Sequence, residues 1–359
     1  MSEGKQTGAF KQFLTRKNIV FSAKRYGIDA LGAMAQGLFA SLLIGTIIGT
    51  LGEQIGRELL VEVGGDAKAV SGPAMAISIG YALQAPQLVL FSLAAVGSAA
   101  NTLGGAGGPL AVLIVAIAAA ECGKAVSKET KVDILVTPLV TILSGVLLAK
   151  WCAPAIGAAA SAVGQLIMWA TELQPFFMGI AVSVLVGMAL TLPISSAAIC
   201  AALGLTGLAG GAAVAGCCAQ MVGFAVMSFK ENKWGGLLAQ GIGTSMLQVP
   251  NIVKNPWVWV PPTLAAAITG PIATCVFHMQ MNGDAVASGM GTCGLVGQIG
   301  VYTGWLNDMV AGTKAGITSM DWMGMLLICF VLPAVLTPII AYPMRKKGLI
   351  KENDLKLDL

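Results

Sequence analysis

Charge is scarce in this chain of 359 residues: Asp, Glu, Lys and Arg make up only 11% of it, against about 25% in an average soluble domain. With 56% apolar residues and a mean hydropathy of +0.81, too little polar surface is left to solvate a globule. Apolar side chains must therefore face lipid as well as one another. This excludes a soluble enzyme, a nucleic-acid binder and a secreted module. Aromatic residues, at 6%, are too few for the girdles of a membrane β-barrel. There is one histidine, and none of the eight cysteines forms a Cys-x-x-Cys pair. The cysteines read as small buried hydrophobes, and no metal centre or cofactor is expected.

What the sequence does have is glycine, 46 residues of it, and long apolar runs. Together they predict an all-α polytopic membrane protein whose small residues let helices approach closely. The net charge of +4 matters less than its placement. Lys5, Lys11, Arg16, Lys17, Lys24 and Arg25 precede the first apolar run, and Arg345, Lys346, Lys347, Lys351 and Lys356 follow the last. Both termini are expected in the cytosol. Residues 1–27 form a basic arm, amphipathic through Phe10, Phe13 and Leu14 and without a small-residue cleavage site. Residues 28–343 form a transmembrane domain, with halves 28–150 and 175–343 linked by an interfacial segment 151–174. Residues 344–359 form a cytosolic tail.

Within that frame, Ile28–Leu51 is long enough to cross, and Gly52–Gly72 reads as an acidic outer loop. Pro73–Ala100 is interrupted at Gln84-Ala85-Pro86-Gln87. Two amides and a proline do not belong at the centre of a lipid-facing helix, so this stretch is a kinked span or a re-entrant hairpin. The hairpin leaves the lysines of Lys124–Asp133 in the cytosol. Pro175–Phe229 is too long for one helix and predicts either a span with a folded-back segment at Pro193-Ile194-Ser195-Ser196 or three short spans. A second interruption falls at Gln248-Val249-Pro250-Asn251.

The two interruptions resemble each other: Leu83-Gln84-Ala85-Pro86-Gln87-Leu88-Val89 recurs as Leu247-Gln248-Val249-Pro250-Asn251-Ile252-Val253. Pro109 and Cys122 keep the spacing of Pro262 and Cys275, and Val136-Thr137-Pro138-Leu139 is echoed by Leu336-Thr337-Pro338-Ile339. The collinear order predicts an inverted repeat of transmembrane helices with two broken or re-entrant hairpin segments, a plan common in secondary transporters. Freed backbone groups and amides at such tips suit a polar solute, which makes Gln84, Gln87, Gln248 and Asn251 candidate substrate-binding residues. The alternative is that they are proline kinks whose amides bond neighbouring helices. Ser195 and Ser196 follow a helix-stopping proline and sit at a helix start. Thr292 and Gln298 lie among glycines 289, 291, 294, 297, 300 and 304, a pattern that fits either close approach to a ligand or tight helix packing. Glu121, with Lys124 three residues on, His278 and Asp284 are candidates for proton or ion coupling; an interfacial ion pair and helix-end hydrogen bonds are the simpler readings.

Leu192-Pro193-Ile194-Ser195-Ser196-Ala197-Ala198-Ile199 together with Gly291-Thr292-Cys293-Gly294-Leu295-Val296-Gly297-Gln298 resembles the EIIC integral membrane family of the phosphotransferase system, and within it the perfringolysin regulator-like branch. The resemblance implies a bacterial plasma-membrane permease, a homodimer embedded in membrane lipid, for a sugar-like solute. The Gly-Ile-Thr-Glu motif of glucose-type permeases has no counterpart here. Phosphoryl transfer would need separate soluble phosphotransferase components, so the chain itself is not expected to be an enzyme. The alternative function is a membrane-embedded solute sensor or regulator without transport. The charge pattern also makes a topological prediction: cysteines placed at 128 and 233 are labelled only from the cytosolic face, and those at 58 and 169 only from outside. Labelling of position 128 from outside contradicts the hairpin.

Overall fold

The computed structural model describes residues 11–357, so Phe10 of the expected amphipathic arm lies outside it. Among the described residues the chain is helical, with no β-strand beyond one isolated antiparallel pairing of Gly207 with Met281. Six helical stretches are long and apolar enough to cross a membrane: 25–55, 87–126, 133–171, 207–227, 256–276 and 319–346. The chain divides into two compact units, one comprising Met1–Leu42 and Ala69–Gly157, the other Leu43–Lys68 and Ala158–Leu359.

The first unit is built from the beginning of α1 (Arg25–Ile55), α3 (Ser71–Ala82), α4 (Gln87–Gly104), α5 (Gly108–Val126) and most of α6 (Asp133–Thr171); α2 (Glu58–Ala69) belongs to the second. Helices α3 and α4 are joined at the expected interruption, and their turn lies beside Lys124 near the end of α5. The chain leaves α3 through Gln84, whose φ is +53°, and Pro86, lacking an N–H, serves as the N-cap of α4. The two helices run antiparallel, with Gly72 on Gly97 and Gly80 on Leu90 and Leu93. A second reversal at Gly105, φ +50°, returns α5 alongside α4, so Gly123 comes to lie beside Val89. At 18 and 19 residues, α4 and α5 are each about 27–28 Å long, close to the thickness of a bilayer's hydrocarbon core.

The second unit centres on α9 (Gly207–Met227), buried along nearly its whole length. Against it pack α7 (Pro175–Thr191), α12 (Pro256–Val276) and α15 (Ser319–Lys346). Gly187 and Ser183 face Gly216, and Gly179 faces Gly270; Ser183 Oγ donates to the Ala266 carbonyl at 2.8 Å. These contacts make α7 parallel to α9 and antiparallel to α12. The chain must therefore return between Thr191 and Gly207, and it does so through Leu192–Ser195 and the short helix α8 (Ser196–Leu203). This is the folded-back segment anticipated at Pro193–Ser196.

Three expectations change. The stretch Gly52–Gly72 is mainly helix α2 and not a loop, because Gly64 packs directly on the backbone of Gly45 and Gly49. The segment 151–174 is not a separate interfacial helix: α6 runs 39 residues with Pro138 and Pro154 inside it. In the second motif copy the discontinuity falls earlier, at Thr244 (φ −156°, ψ 141°), because Pro250 sits in the first turn of α11 (Val249–Lys254), where its missing N–H costs nothing. Ahead of that break, α10 (Phe229–Leu238) carries its own kink at Lys233. The paired prolines of the echo nevertheless have matching local roles, since Pro109 lies in the first turn of α5, and Pro261 and Pro262 lie in the first α-helical turn of α12, after its 3-10 start at Pro256–Trp259.

Because a Cβ at position 216 would collide with the Ser183 backbone, whereas one at 235 meets nothing within 4 Å, Gly216→Val should destabilise the folded protein by about 1–3 kcal/mol or more. Gly235→Ala should leave it unchanged. Thermal melting of both variants in the same detergent checks this.

Candidate functional site

Two hairpins reach α9 partway along its length. The tip of the first, Leu192–Ser195, lies level with Gln220, because Thr191 Oγ1 reaches the Gln220 side-chain oxygen at 3.4 Å. That is seven residues, about 10 Å, short of the end of α9. Ser195 caps α8 by accepting a hydrogen bond from the Ala198 N–H at 3.2 Å. Ser196 Oγ donates across to the Gly289 carbonyl at 2.7 Å.

Gly289 belongs to the second hairpin. It starts at Met281, whose backbone pairs with Gly207 in both directions at 3.0 and 2.9 Å. It rises through the single turn α13 (Ala285–Ser288), turns over at Gly289–Leu295 and descends as α14 (Val296–Val310), which brings Gly304 back beside Asn282. The turn requires positive φ at Gly291 (+53°), Gly294 (+53°) and Leu295 (+60°). Gly291 lies on Cys217 and Cys218 so closely that a Cβ would come within 2.6 Å of Cys217. The glycines thus serve close approach and left-handed backbone together. Thr292 Oγ1 donates to the Met221 sulfur at 3.5 Å. Gln298 Nε2 donates to Cys218 Sγ at 3.2 Å, while its Oε1 is buried with no hydrogen-bond partner among the described residues.

One turn further along α9 lies a network that sequence reasoning missed. Buried Gln220 donates to Thr263 Oγ1 at 3.2 Å and accepts from the indole N–H of Trp259 at 3.0 Å; Thr191 and Ser245 share a hydrogen bond of 2.8 Å. The signal was available, since Gln220 is the one amide in the apolar run Gly207–Met227.

The other candidates lie elsewhere. Gln84 and Gln87 are exposed at the α3–α4 turn, where Gln84 Oε1 accepts from Asn18 at 2.6 Å and the Leu83 carbonyl accepts from Arg25 and Lys124 at 2.5 and 3.2 Å. Gln248 and Asn251 are buried and fully engaged. Gln248 donates to Gln240 at 2.7 Å and to the Leu355 carbonyl at 3.1 Å; Asn251 donates to Gln248 at 2.8 Å and to the Lys356 carbonyl at 2.9 Å. Each copy of the repeated motif therefore holds a terminal segment, the arm in one unit and the tail in the other. Ile350 and Leu355 bury themselves among Phe224, Met227, Ile252, Val258 and Ala341 to complete the second clamp.

Glu121 pairs with buried Lys124 at 2.9 Å and accepts from the Tyr26 hydroxyl at 3.0 Å. Asp284 caps α13 through the Val286 N–H at 3.1 Å. His278 lines a cavity of about 330 Å³ at the base of the second hairpin with Asn282, Trp305, Asp308, Lys314 and Asp321. No group of three or more His, Cys, Asp or Glu suited to a metal occurs among the described residues.

The phosphotransferase system EIIC family matches residues 28–357. The chain belongs to that family. EIIC domains are the membrane-embedded sugar permease components of the system, with phosphoryl transfer carried out by other domains. Comparison with curated proteins and with solved structures gave no match.

Since the amides of Gln248 and Asn251 are spent on the tail, Gln248→Ala should lower the melting temperature and expose residues 349–357 to proteolysis. Leaving buried carbonyls without donors costs about 1–3 kcal/mol each. A melting curve with limited proteolysis on the same preparation measures both.

Proposed function

We propose that this EIIC protein moves a neutral sugar-like solute across the membrane by alternating access, binding it where the two re-entrant tips meet α9. The observation that carries this reading is the buried Gln298 side-chain oxygen, an acceptor without a donor among the described residues, on the same hairpin that carries Gly291 and Thr292 and that receives the Ser196 hydrogen bond at Gly289. A solute hydroxyl would supply that donor, and the Ser195 hydroxyl and Thr292 offer further weakly engaged partners. The glycine-built backbone lets a solute come close. Tips that stop partway along a membrane helix are the kind of element whose rearrangement exposes a site first to one side and then to the other.

On this reading Gln84, Gln87, Gln248 and Asn251 act as anchors for terminal segments and not as solute ligands. The termini face the cytosol of a bacterial plasma membrane, the protein works as a homodimer, and soluble phosphotransferase components act on the emerging solute.

A panel of monosaccharides and disaccharides, screened by thermal shift and then by calorimetry, identifies the ligand. Gln298→Leu should then weaken its affinity by about 1–3 kcal/mol, with the melting temperature preserved, while Gln84→Ala should not. Uptake of the same solute into proteoliposomes separates a permease from a regulator: binding without flux selects the regulator. Undiminished affinity in Gln298→Leu moves the site away from the tips.

A further inference from the structure

The first unit contains a feature that transport of a neutral solute does not use. A cavity of about 390 Å³ opens beside the α3–α4 turn, its wall carrying Arg16, Lys17, Lys124 and Lys128 against Glu129, with Gln84 at its edge. Glu129 is shared by Arg16 at 2.7 Å and Lys17 at 2.5 Å, and Lys124 is neutralised by Glu121. Four cations and two carboxylates leave two positive charges uncompensated. Behind the wall, Arg25 on the Leu83 carbonyl and Asp133 on the Lys128 N–H cancel each other.

We propose that this cavity is a phosphate-binding site, taking the phosphate group of an anionic lipid headgroup or of a free phosphate. The excess of two charges matches a phosphate group, which carries about −1.5 to −2 as a monoester at neutral pH. Arg16 offers the planar fork that suits phosphate oxygens, and Lys17 and Lys128 supply point charges. The positions are fixed and not merely attracted: Lys17 donates to the Ser127 carbonyl, Lys128 stands on left-handed backbone at φ +61°, and Lys124 is tied to the Asn18 carbonyl at 2.7 Å. A hydrogen bond from Lys17 holds the Glu129 carboxyl below its usual range, so the one acidic group in the wall stays committed to its cations. Pro86 begins α4 without a side-chain cap, so the positive end of that helix adds to the field at the same wall.

The test uses the full chain and the double variant Arg16→Gln/Lys128→Gln, both of whose altered side chains are at the surface. Melting temperature is followed with sodium phosphate against sodium chloride at equal ionic strength, and in nanodiscs of pure phosphatidylcholine against the same lipid with phosphatidylglycerol or phosphatidic acid. Saturable stabilisation of the native chain by inorganic phosphate, weakened at least tenfold in the double variant, identifies a free-phosphate site. Stabilisation by the anionic lipids alone, lost in the variant, identifies a headgroup site. Equal responses of native and variant proteins to both probes, or no response of the native protein to either, overturn the proposal. Size-exclusion profiles matched in phosphatidylcholine nanodiscs establish that the variant is folded.

Discussion

Backbone that leaves a helix inside a membrane must find its hydrogen bonds within the protein, because lipid offers none. The second unit is organised around this requirement. Ser196 supplies a donor to the Gly289 carbonyl, Ser288 supplies one to the Leu205 carbonyl at 2.6 Å, and Gly207 and Met281 exchange two more. The first two bonds run between the segment Leu192–Leu205 and the second hairpin, and the Gly207–Met281 pair ties the start of α9 to the base of that hairpin, so open backbone on each side is satisfied by the other. The same requirement explains the glycines of α7, α9 and α12: helices must come within backbone contact for the tips to reach their partners, and Gly187, Gly216 and Gly270 remove the side chains that would hold them apart.

The terminal segments answer the same demand at the ends of the helices. The Leu-Gln-x-Pro motif lies at a break in the helices in both units, at Gln84 within the first copy and at Thr244 just ahead of the second, so carbonyls and amides are left to be matched. Asn18, Arg25 and Lys124 match them in the first unit. The backbone of residues 355–356 matches them in the second. Two sequences related by an echo of seven residues have thus kept a common physical role, although one uses charged side chains and the other uses peptide groups.

Much of this was legible in the sequence because proline and charge punctuate apolar runs strongly. The hairpin at Gln84–Pro86 and the fold-back at Pro193–Ser196 both follow from prolines that deny a helix its donor. The glycines near Thr292 could be read as packing or as a ligand-facing loop, and they turn out to do the first while shaping a turn suited to the second. What escaped depends on partners distant in sequence. Helix α2 exists in a glutamate-rich stretch because Gly64 meets Gly45 and Gly49. The break of the second motif moved to Thr244 because a proline opens a helix as readily as it ends one. Gln220 was overlooked because a lone amide has no pattern, and its meaning lies in Thr263 and Trp259, each some 40 residues away. The spending of Gln248 and Asn251 on the tail was equally invisible, since nothing in the tail's own sequence announces that its carbonyls will be bound.

The meeting point of the tips has one more property. Ser195, Ser196, Cys217, Cys218, Gln220, Thr292 and Gln298 are all uncharged side chains. A site made of neutral dipoles holds an uncharged molecule at little electrostatic cost. It offers no counterion to a molecule that has acquired two negative charges, which would have to shed its hydration without repayment. On the proposed function, a solute phosphorylated there would lose its hold on such a site, and the chemical modification itself would act as the ratchet that prevents return.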